Sequence, residues 1–453
     1  MKKILLSIVG LLVICGAAMP LIVKNQIDKQ IETEKQVLNK HGVELSLISE
    51  KGYVSSFREF ELTIVDGKKF RDYVFEKLTQ ANPNYKSVSQ LLKKQSEKDI
   101  RPALDGTTLY GTLKSSNLLL HPSVIKISLT KFSDEIMSSL NSSSKTDELI
   151  QSILDEKMFT FLITLDSNKK ISQIVMQDIN KDIINHNNDV LNVKLKNHKL
   201  NIDIQESLKG TYTLGEQSVK AKKFSFKTLG VEYKFDYLTQ FDNRGSFHID
   251  SIEFKENKNA VTIGNIDASA MTKTSNLTSL DGEAKYNIKD ISIKNRVNLE
   301  LNNLALGIVV SGLDKNSTIE ASNSYNELAF KPTQNSIKQV QNSIQKILNI
   351  GFKVGLEASL HGLIFANKNF DNSDLILNFK IEPNNYNIND KNMLNAFLVD
   401  GKLTLNENSV KELLKINRNF TKFAQLGKKD GKNIVFTCEF KNSTLFINGT
   451  KVK

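Results

Sequence analysis

The residues best placed to do nucleophilic chemistry are Ser359 and His361, in the stretch EASLHG. Residues at i and i+2 of a β-strand lie on one face, so a contact between these two side chains is geometrically possible. The serine lacks the G-x-S-x-G turn of a nucleophile elbow. Glu357 shares the same face, which favours a strand side turned to solvent. The sequence therefore assigns no catalytic residue, and a hydrolase would have to be assembled from residues that are distant in sequence.

The chain also offers little for binding a metal or a cofactor. Its six histidines do not approach one another at the spacing of local metal ligands, and no phosphate-binding glycine motif is present. Asp371, Asn372 and Asp374 are oxygen donors that could touch calcium, but the glycine and distal glutamate of an EF-hand loop are missing. A polar turn is the simpler interpretation. We predict no metal, no cofactor and no enzymatic activity.

Two cysteines occur, Cys15 and Cys438. Cys15 lies in an apolar run close to the N-terminus, so the two are not expected to form a disulfide within one chain. Cys438 alternates with Ile434, Phe436 and Phe440, which is typical of a buried strand residue. It is also the residue through which two chains could be joined, so a homodimer stays open.

The charge pattern argues against nucleic acid as a partner. The 453 residues include 61 Lys and Arg against 50 Asp and Glu, a formal net charge of +11. The lysines are spread beside acidic residues along the whole chain, without an arginine-rich block or an aromatic–basic stripe. We therefore expect no nucleic-acid binding.

Residues 4–23 form a run of 20 residues without a charge. A helix of that length spans about 30 Å, the thickness of the hydrocarbon core of a bilayer. Gly16, Ala17 and Ala18 offer a weak cleavage site, but the apolar run continues past them to Val23. The bulky Ile14 before Cys15 does not suit lipoprotein processing. We predict an uncleaved signal-anchor over residues 1–23, with a cleaved signal peptide as the alternative.

Lys2 and Lys3 favour a cytoplasmic N-terminus, which would place the rest of the chain in the periplasm of a bacterium. Residues 24–42 have helical periodicity and predict a stalk that continues the anchor. The predicted localisation is the inner membrane, crossed once, with most of the chain periplasmic.

Beyond the stalk, alternation with period two dominates. From Leu229 to Tyr237, odd positions are apolar and even positions are polar or glycine, which indicates antiparallel strands with one apolar face. A helix is predicted from Lys68 to about Leu78. A second should begin at Pro332 and Thr333, and a third at Ser409, where Glu412 completes a capping box, and extend to about Leu426.

These patterns predict a β-dominated α+β protein. Its antiparallel sheets, forming a curved sheet or a sandwich, would be covered by a few amphipathic helices. We divide the chain into an N-terminal α+β region (43–190), an antiparallel β region (191–331) and a C-terminal α+β region (332–453).

Two segments carry a family resemblance. Near the start, SEKGYVSSFREFELTI contains Gly52, Tyr53, Ser55 and Ser56, and near the end Asn448 and Gly449 follow an apolar strand. In this order, behind an N-terminal anchor, they resemble the YdgA-like family of bacterial inner-membrane-anchored proteins. The resemblance covers almost the whole chain. It implies location and architecture, and it carries over no catalytic residue.

Two functions remain from the sequence. The first is a non-enzymatic cell-envelope protein that contacts the inner membrane through residues 4–23 and acts there as a scaffold or as a partner of another envelope protein. The second is a lipid-binding or lipid-transfer protein that uses the apolar face of a curved sheet. The two differ in whether helices cover that face.

Overall fold

The structure is a computed structural model. It describes residues 27–51, 55–81, 93, 98, 100–116, 123–141, 151, 153–165, 171–184, 190–204, 208–239, 241–295, 298–330, 332–416 and 420–452. Residues 4–23, the predicted anchor, lie outside these ranges. Among the helices in the described ranges, none combines the length and the apolar character that crossing a bilayer requires.

The chain divides into two compact units, residues 1–222 and 223–453. The first described helix of unit 1 covers most of the predicted stalk, and the helix predicted from Lys68 is confirmed with slightly wider bounds. The described helices of unit 1 are α1 (Ile27–Lys40), α2 (Gly67–Ala81), α3 (Ile100–Leu104) and α4 (Asp134–Asn141).

The strands of unit 1 form an antiparallel sheet in the order β1-β2-β3-β4-β5-β6-β9-β10. Strand β8 continues β9 in the same register along β10, and β7 pairs with the other edge of β8. Their bounds are β1 Val43–Lys51, β2 Ser55–Ile64, β3 Thr108–Ser116, β4 Ser123–Lys131, β5 Thr160–Leu165, β6 Ile171–Met176, β7 Ile179–Ile184, β8 Val190–Lys196, β9 Lys199–Ile204 and β10 Leu208–Lys220.

Unit 1 has a closed hydrophobic core. Leu62, Leu109, Ile127 and Ile163, from four neighbouring strands, are at most 1% exposed. Helices α1 to α4 pack on them through apolar residues that include Leu38 and Phe70. Since burying such a side chain contributes about 1.5–3 kcal/mol, this core stabilises unit 1.

Unit 2 is built on a longer antiparallel sheet, in the order β11-β12-β13-β14-β15-β16-β19-β20-β22-β23-β24. Strands β17 and β18 form a small hairpin beside β15, and β21 pairs with β22. The bounds are β11 Phe224–Tyr237, β12 Asn243–Glu256, β13 Asn259–Thr274, β14 Ser279–Lys294, β15 Leu299–Asp314, β16 Phe352–His361, β17 Leu363–Phe365, β18 Lys368–Phe370, β19 Ser373–Ile381, β20 Phe397–Asn406, β21 Lys428–Asp430, β22 Asn433–Lys441, β23 Thr444–Ile447 and β24 Thr450–Val452.

In the sequence, the described helices of unit 2 occur between these strands. They are α5 (Lys315–Phe330), α6 (Gln334–Ile350), the 3₁₀-helix Lys391–Ala396, α7 (Glu407–Ile416) and α8 (Phe420–Ala424). The helix predicted to begin at Pro332 and Thr333 is α6, and Thr333 is its N-cap. The helix predicted to begin at Ser409 begins two residues earlier, at Glu407, where the side-chain oxygen of Asn406 accepts a hydrogen bond from the amide of Asn408 (2.9 Å). The Ser409 hydroxyl donates instead to the carbonyl of Asp371 (3.2 Å). Helix α5 was not predicted.

The fold class is thus confirmed at a coarse level: the chain is β-dominated, with antiparallel sheets and a few helices. The helices cover the long sheet unevenly. Helices α5 and α6 pack mainly on each other and contact the sheet chiefly at β15. Ile337 and Ile344, both on the predicted apolar stripe of α6, stay 38% and 39% exposed, while Ser336 and Ser343 are the buried residues of that helix.

Candidate functional site

The long sheet of unit 2 sorts its side chains onto two very different faces. In β11, Val231, Tyr233, Phe235 and Tyr237 alternate with Glu232, Lys234 and Asp236. The register continues this sorting from strand to strand, because residues directly opposite each other in a ladder share a face. From Tyr233 the apolar series passes to Phe247 and Ala268 on the next two strands.

One face, which we call the uncharged face, takes four residues from each of nine strands and contains no charged side chain. Its members are Val231, Tyr233, Phe235 and Tyr237 (β11); Asn243, Gly245, Phe247 and Ile249 (β12); Ile266, Ala268, Ala270 and Thr272 (β13); Gly282, Ala284, Tyr286 and Ile288 (β14); Leu304, Leu306, Ile308 and Val310 (β15); Val354, Leu356, Ala358 and Leu360 (β16); Ser373, Leu375, Leu377 and Phe379 (β19); Val399, Gly401, Leu403 and Leu405 (β20); and Ile434, Phe436, Cys438 and Phe440 (β22).

Helices close the uncharged face only toward its β20 and β22 end. Helices α7 and α8 pack on Leu405 and Phe436. A second small cluster joins Phe379 to Leu348 of α6 and to the 3₁₀-helix. The first cluster lies beyond strand β16, and the second reaches β16 only at its first residue, Phe352.

The centre of the uncharged face, from β11 to β16, is more open. Among its described residues Ile249 alone is buried, at 7% exposure, and most of the others are partly exposed. Tyr286 is 46% exposed. A continuous apolar surface of this kind is what interaction sites present, since monomeric soluble proteins rarely leave one uncovered.

The opposite face carries the charges and forms an open groove of about 930 Å³. Its floor is β15, where Ala305 and Gly307 leave room between larger side chains. Asn287 and Lys285 on β14 form one side of this floor, and Ser359 and Glu357 on β16 form the other. Lys285 is ion-paired with Glu283, which raises the pKa of the lysine.

His248, one of the titratable groups of this groove, lies between two carboxylates. Its Nδ1 lies 2.7 Å from an oxygen of Asp267 on β13, and its Nε2 lies 2.9 Å from an oxygen of Asp250 on its own strand. Both ring nitrogens can donate to carboxylates only when the imidazole is protonated. The hydrogen bond to Asp267, followed by that to Asp250, raises the pKa of His248.

Sequence reasoning did not single out this cluster. The local signal was present, because His248 and Asp250 are two apart on a strand and must share a face. The partner Asp267 becomes visible only through the register of β12 with β13.

The structure does not join Ser359 and His361 into a catalytic pair. Both lie on β16 on the charged side, as expected from Glu357, and no hydrogen bond links them. Nε2 of His361 instead lies 3.4 Å from an oxygen of Asp374, on the neighbouring strand β19. This weak contact provides no nucleophile.

The loop oxygens considered for calcium have other partners. Asp371 accepts a hydrogen bond from the side chain of Asn408, and its carbonyl accepts one from Ser409. Within the part of the chain that the structure describes, no three His, Cys, Asp or Glu residues are grouped to hold a metal ion.

Cys438 lies in the middle of β22, on the uncharged face, in the strand environment predicted for it. It is partly rather than fully buried. Burial raises the pKa of its thiol, with a smaller contribution from the nearby Asp400. The side chain therefore has little thiolate character at neutral pH.

Comparison with known proteins gives no relative: no family model, no curated protein and no solved structure matches this chain. The resemblance to YdgA-like proteins accordingly stays a prediction.

Proposed function

We propose that this chain is a non-enzymatic protein of the bacterial cell envelope, held at the inner membrane by residues 4–23, whose unit 2 binds lipid acyl chains on the uncharged face. The observation that carries the proposal is the centre of that face. It offers four uncharged rows across strands β11 to β16, and no cluster of buried core residues lies on it.

The energetics favour an apolar ligand. Each methylene group moved from water onto such a surface contributes about 0.8 kcal/mol, so a long acyl chain gains several kcal/mol from partial burial alone. A charged or strongly polar ligand would gain nothing from these rows and would lose its hydration.

The envelope location is supported by the length of the apolar run at residues 4–23 and by Lys2 and Lys3 before it. The resemblance to YdgA-like proteins supports the same location. The non-enzymatic part is supported by the lack of any catalytic motif in the sequence.

Photo-crosslinking in living cells tests the proposal on the full chain. Cells that express the protein are fed a diazirine-bearing fatty acid and irradiated, and the adducts are mapped by peptide mass spectrometry. We expect adducts on β11 to β16 at residues of the uncharged face. Adducts on residues 4–23 would report the anchor separately.

Two adjacent positions provide a matched pair of variants. Ala268→Glu places a carboxylate on the uncharged face, and Ser269→Glu places the same group one residue away, on the charged face beside Lys285. Crosslinking to β11–β16 should fall at least severalfold in the first variant and persist in the second. Equal labelling of the two variants, or no adduct on these strands, would overturn the lipid proposal.

A further inference from the structure

The uncharged face is not uniform, and four of its polar residues lie together at one corner, while Tyr286 on β14 and Ser373 on β19 lie apart from them. Tyr233 and Tyr237 lie on β11, Asn243 on β12 and Thr272 on β13. From β15 to β16 the same face carries only aliphatic side chains: Leu304, Leu306, Ile308, Val310, Val354, Leu356, Ala358 and Leu360. The face therefore has a hydroxyl- and amide-bearing end and a hydrocarbon end.

Beside the polar corner, three neighbouring strands carry the smallest side chains in a single row. This row, which we call the trough, is formed by Gly245, Ala270 and Ala284. Bulky Phe247 and Tyr286 stand in the next row. Since strands are spaced about 4.8 Å apart, the trough extends about 10 Å from the first strand to the third.

The trough is open rather than filled by its neighbours. A Cβ added at Gly245 would meet no atom closer than 3.6 Å. Gly282, which adjoins the trough, would have no contact closer than 3.7 Å. Ala270 is exposed.

Two hydroxyls border this space. The Tyr233 hydroxyl lies 3.0 Å from that of Tyr237 and 3.6 Å from the position of a Cβ on Gly245. One of the two donates to the other, which leaves one O–H donor and several lone pairs for a ligand. The hydrogen bond with Tyr237, together with desolvation, raises the pKa of Tyr233 to about 12, so this hydroxyl stays neutral at physiological pH.

None of the described members of the uncharged face is a cation. Lys315, at the start of α5, lies near the corner: its Nζ is 5.6 Å from the centre of the Phe241 ring, and its charge helps to lower the pKa of Asp242. Arg244, which follows Asn243, belongs to the opposite face and pairs with Asp236 (3.0 Å).

Asp242, which precedes Asn243, accepts hydrogen bonds from Thr239 and Thr274. The pKa of Asp242 is lowered, and the hydrogen bond from the Thr274 amide is the main cause. The two cations near the corner already have acidic neighbours, Arg244 with Asp236 and Lys315 with Asp242. An anionic headgroup would therefore lose its hydration and gain little counter-charge in return.

We propose that the ligand of this face is an uncharged acylglycerol: the trough holds its acyl chain, and Tyr233 and Tyr237 bind its glycerol hydroxyl and ester groups. The inference rests on the proposed lipid-binding function. It adds the class of lipid and its orientation, with the glycerol at β11–β12 and the chain directed toward β15.

Native mass spectrometry of the full chain, released from detergent, can separate this inference from the function beneath it. Three probes with related hydrocarbon chains are titrated: monooleoylglycerol, oleate and phosphatidylglycerol. We expect monooleoylglycerol to bind about tenfold more tightly than oleate, since one to two hydrogen bonds are gained and no charge is desolvated.

The double variant Tyr233→Phe/Tyr237→Phe should remove this preference and leave oleate binding unchanged. Tyr212→Phe, in unit 1, is the matched control and should retain the preference. If oleate or phosphatidylglycerol binds as well as monooleoylglycerol, or if the double variant keeps the preference, the acylglycerol inference is wrong while lipid binding stands. If none of the three probes binds, the proposed function itself fails.

Discussion

His248 shows how a single side chain can join two strands on the charged face. It lies on β12, faces Glu232 across the ladder with β11, and donates to Asp267 on β13. Because its two ring nitrogens are satisfied by two carboxylates, the folded state favours the imidazolium over the neutral ring.

This geometry makes a prediction about pH. The folded-state pKa of His248 is raised above its ordinary value of 6.5, so the stability that the charged ring contributes is fully present below pH 6.5. It is lost as the pH rises through the raised pKa. We therefore expect the free energy of unfolding of the native chain, relative to that of His248→Gln, to decrease over this window.

NMR titration of the His248 ring, with urea unfolding at several pH values, would measure both quantities. Asp267→Asn serves as the partner variant and should bring the pKa of His248 back toward 6.5. A folded-state pKa at or below 6.5 in the native chain would contradict the arrangement described here.

At the scale of elements, alternation predicts correctly which residues of β11 share a face from Val231 to Tyr237. It fails in the part of the strand that precedes Val231. Leu229 extends the same parity in sequence, but it pairs with Ser251 and is separated from Val231 by Gly230, whose φ is +59°. On the next strands the apolar residues also change from odd to even positions, or the reverse, opposite Gly230. On β12, for example, Ile249 is at an odd position and Ile252 is at an even one. A period-two reading cannot anticipate such a break, because it arises from backbone geometry.

Helix prediction succeeds where an apolar stripe or a cap is present and fails elsewhere. Thr333 and the stripe of α6 predict that helix. Helix α5 is rich in serine and asparagine and has no clear apolar face, so its sequence, KNSTIEASNSYNELAF, resembles a polar loop. It becomes helical beside α6, where the hydroxyls of Ser324 and Ser343 lie 3.2 Å apart.

The packing of three strands at Gly401 yields a second prediction. Gly401 lies on β20 between β19 and β22, and a Cβ there would approach Leu377 to 2.4 Å and the Sγ of Cys438 to 2.9 Å. Gly401→Ala should therefore lower the free energy of unfolding by about 1–3 kcal/mol, as overpacking does.

Gly282→Ala is the matched control on the same face. Its added methyl would meet no atom within 3.7 Å, so we expect a change between zero and a gain of about 1 kcal/mol. Urea denaturation of both variants checks the contrast. Equal destabilisation at the two positions would mean that the face around Gly282 is filled rather than open.

At the scale of the whole molecule, the residue types are enough to predict a β-rich fold. The residues that make up the candidate site, in contrast, depend on the register in which the strands pair. Each strand of unit 2 shows its own alternation, but only pairing reveals that nine strands place uncharged residues in common rows. Pairing likewise brings Asp267 to His248, 19 residues away in sequence. Whether helices cover a sheet also depends on tertiary packing, and for this reason the apolar stripe of α6 was a poor guide to the coverage of β11–β16.

The predicted anchor gives the whole-molecule prediction. If residues 4–23 stay in the bilayer, the protein should sediment with inner membranes, resist extraction by alkaline carbonate, and retain its full mass of 51.0 kDa. Leu12→Lys, which places a charge at the centre of the run, should weaken insertion, because a lysine there costs about 2.5–3.5 kcal/mol. Leu12→Ile keeps the run apolar and should behave as the native chain does. If the intact mass instead corresponds to a chain that starts near residue 19, the segment is a cleaved signal peptide and the anchor prediction is wrong. Lipid binding by unit 2 would then be the property of a protein released into the periplasm.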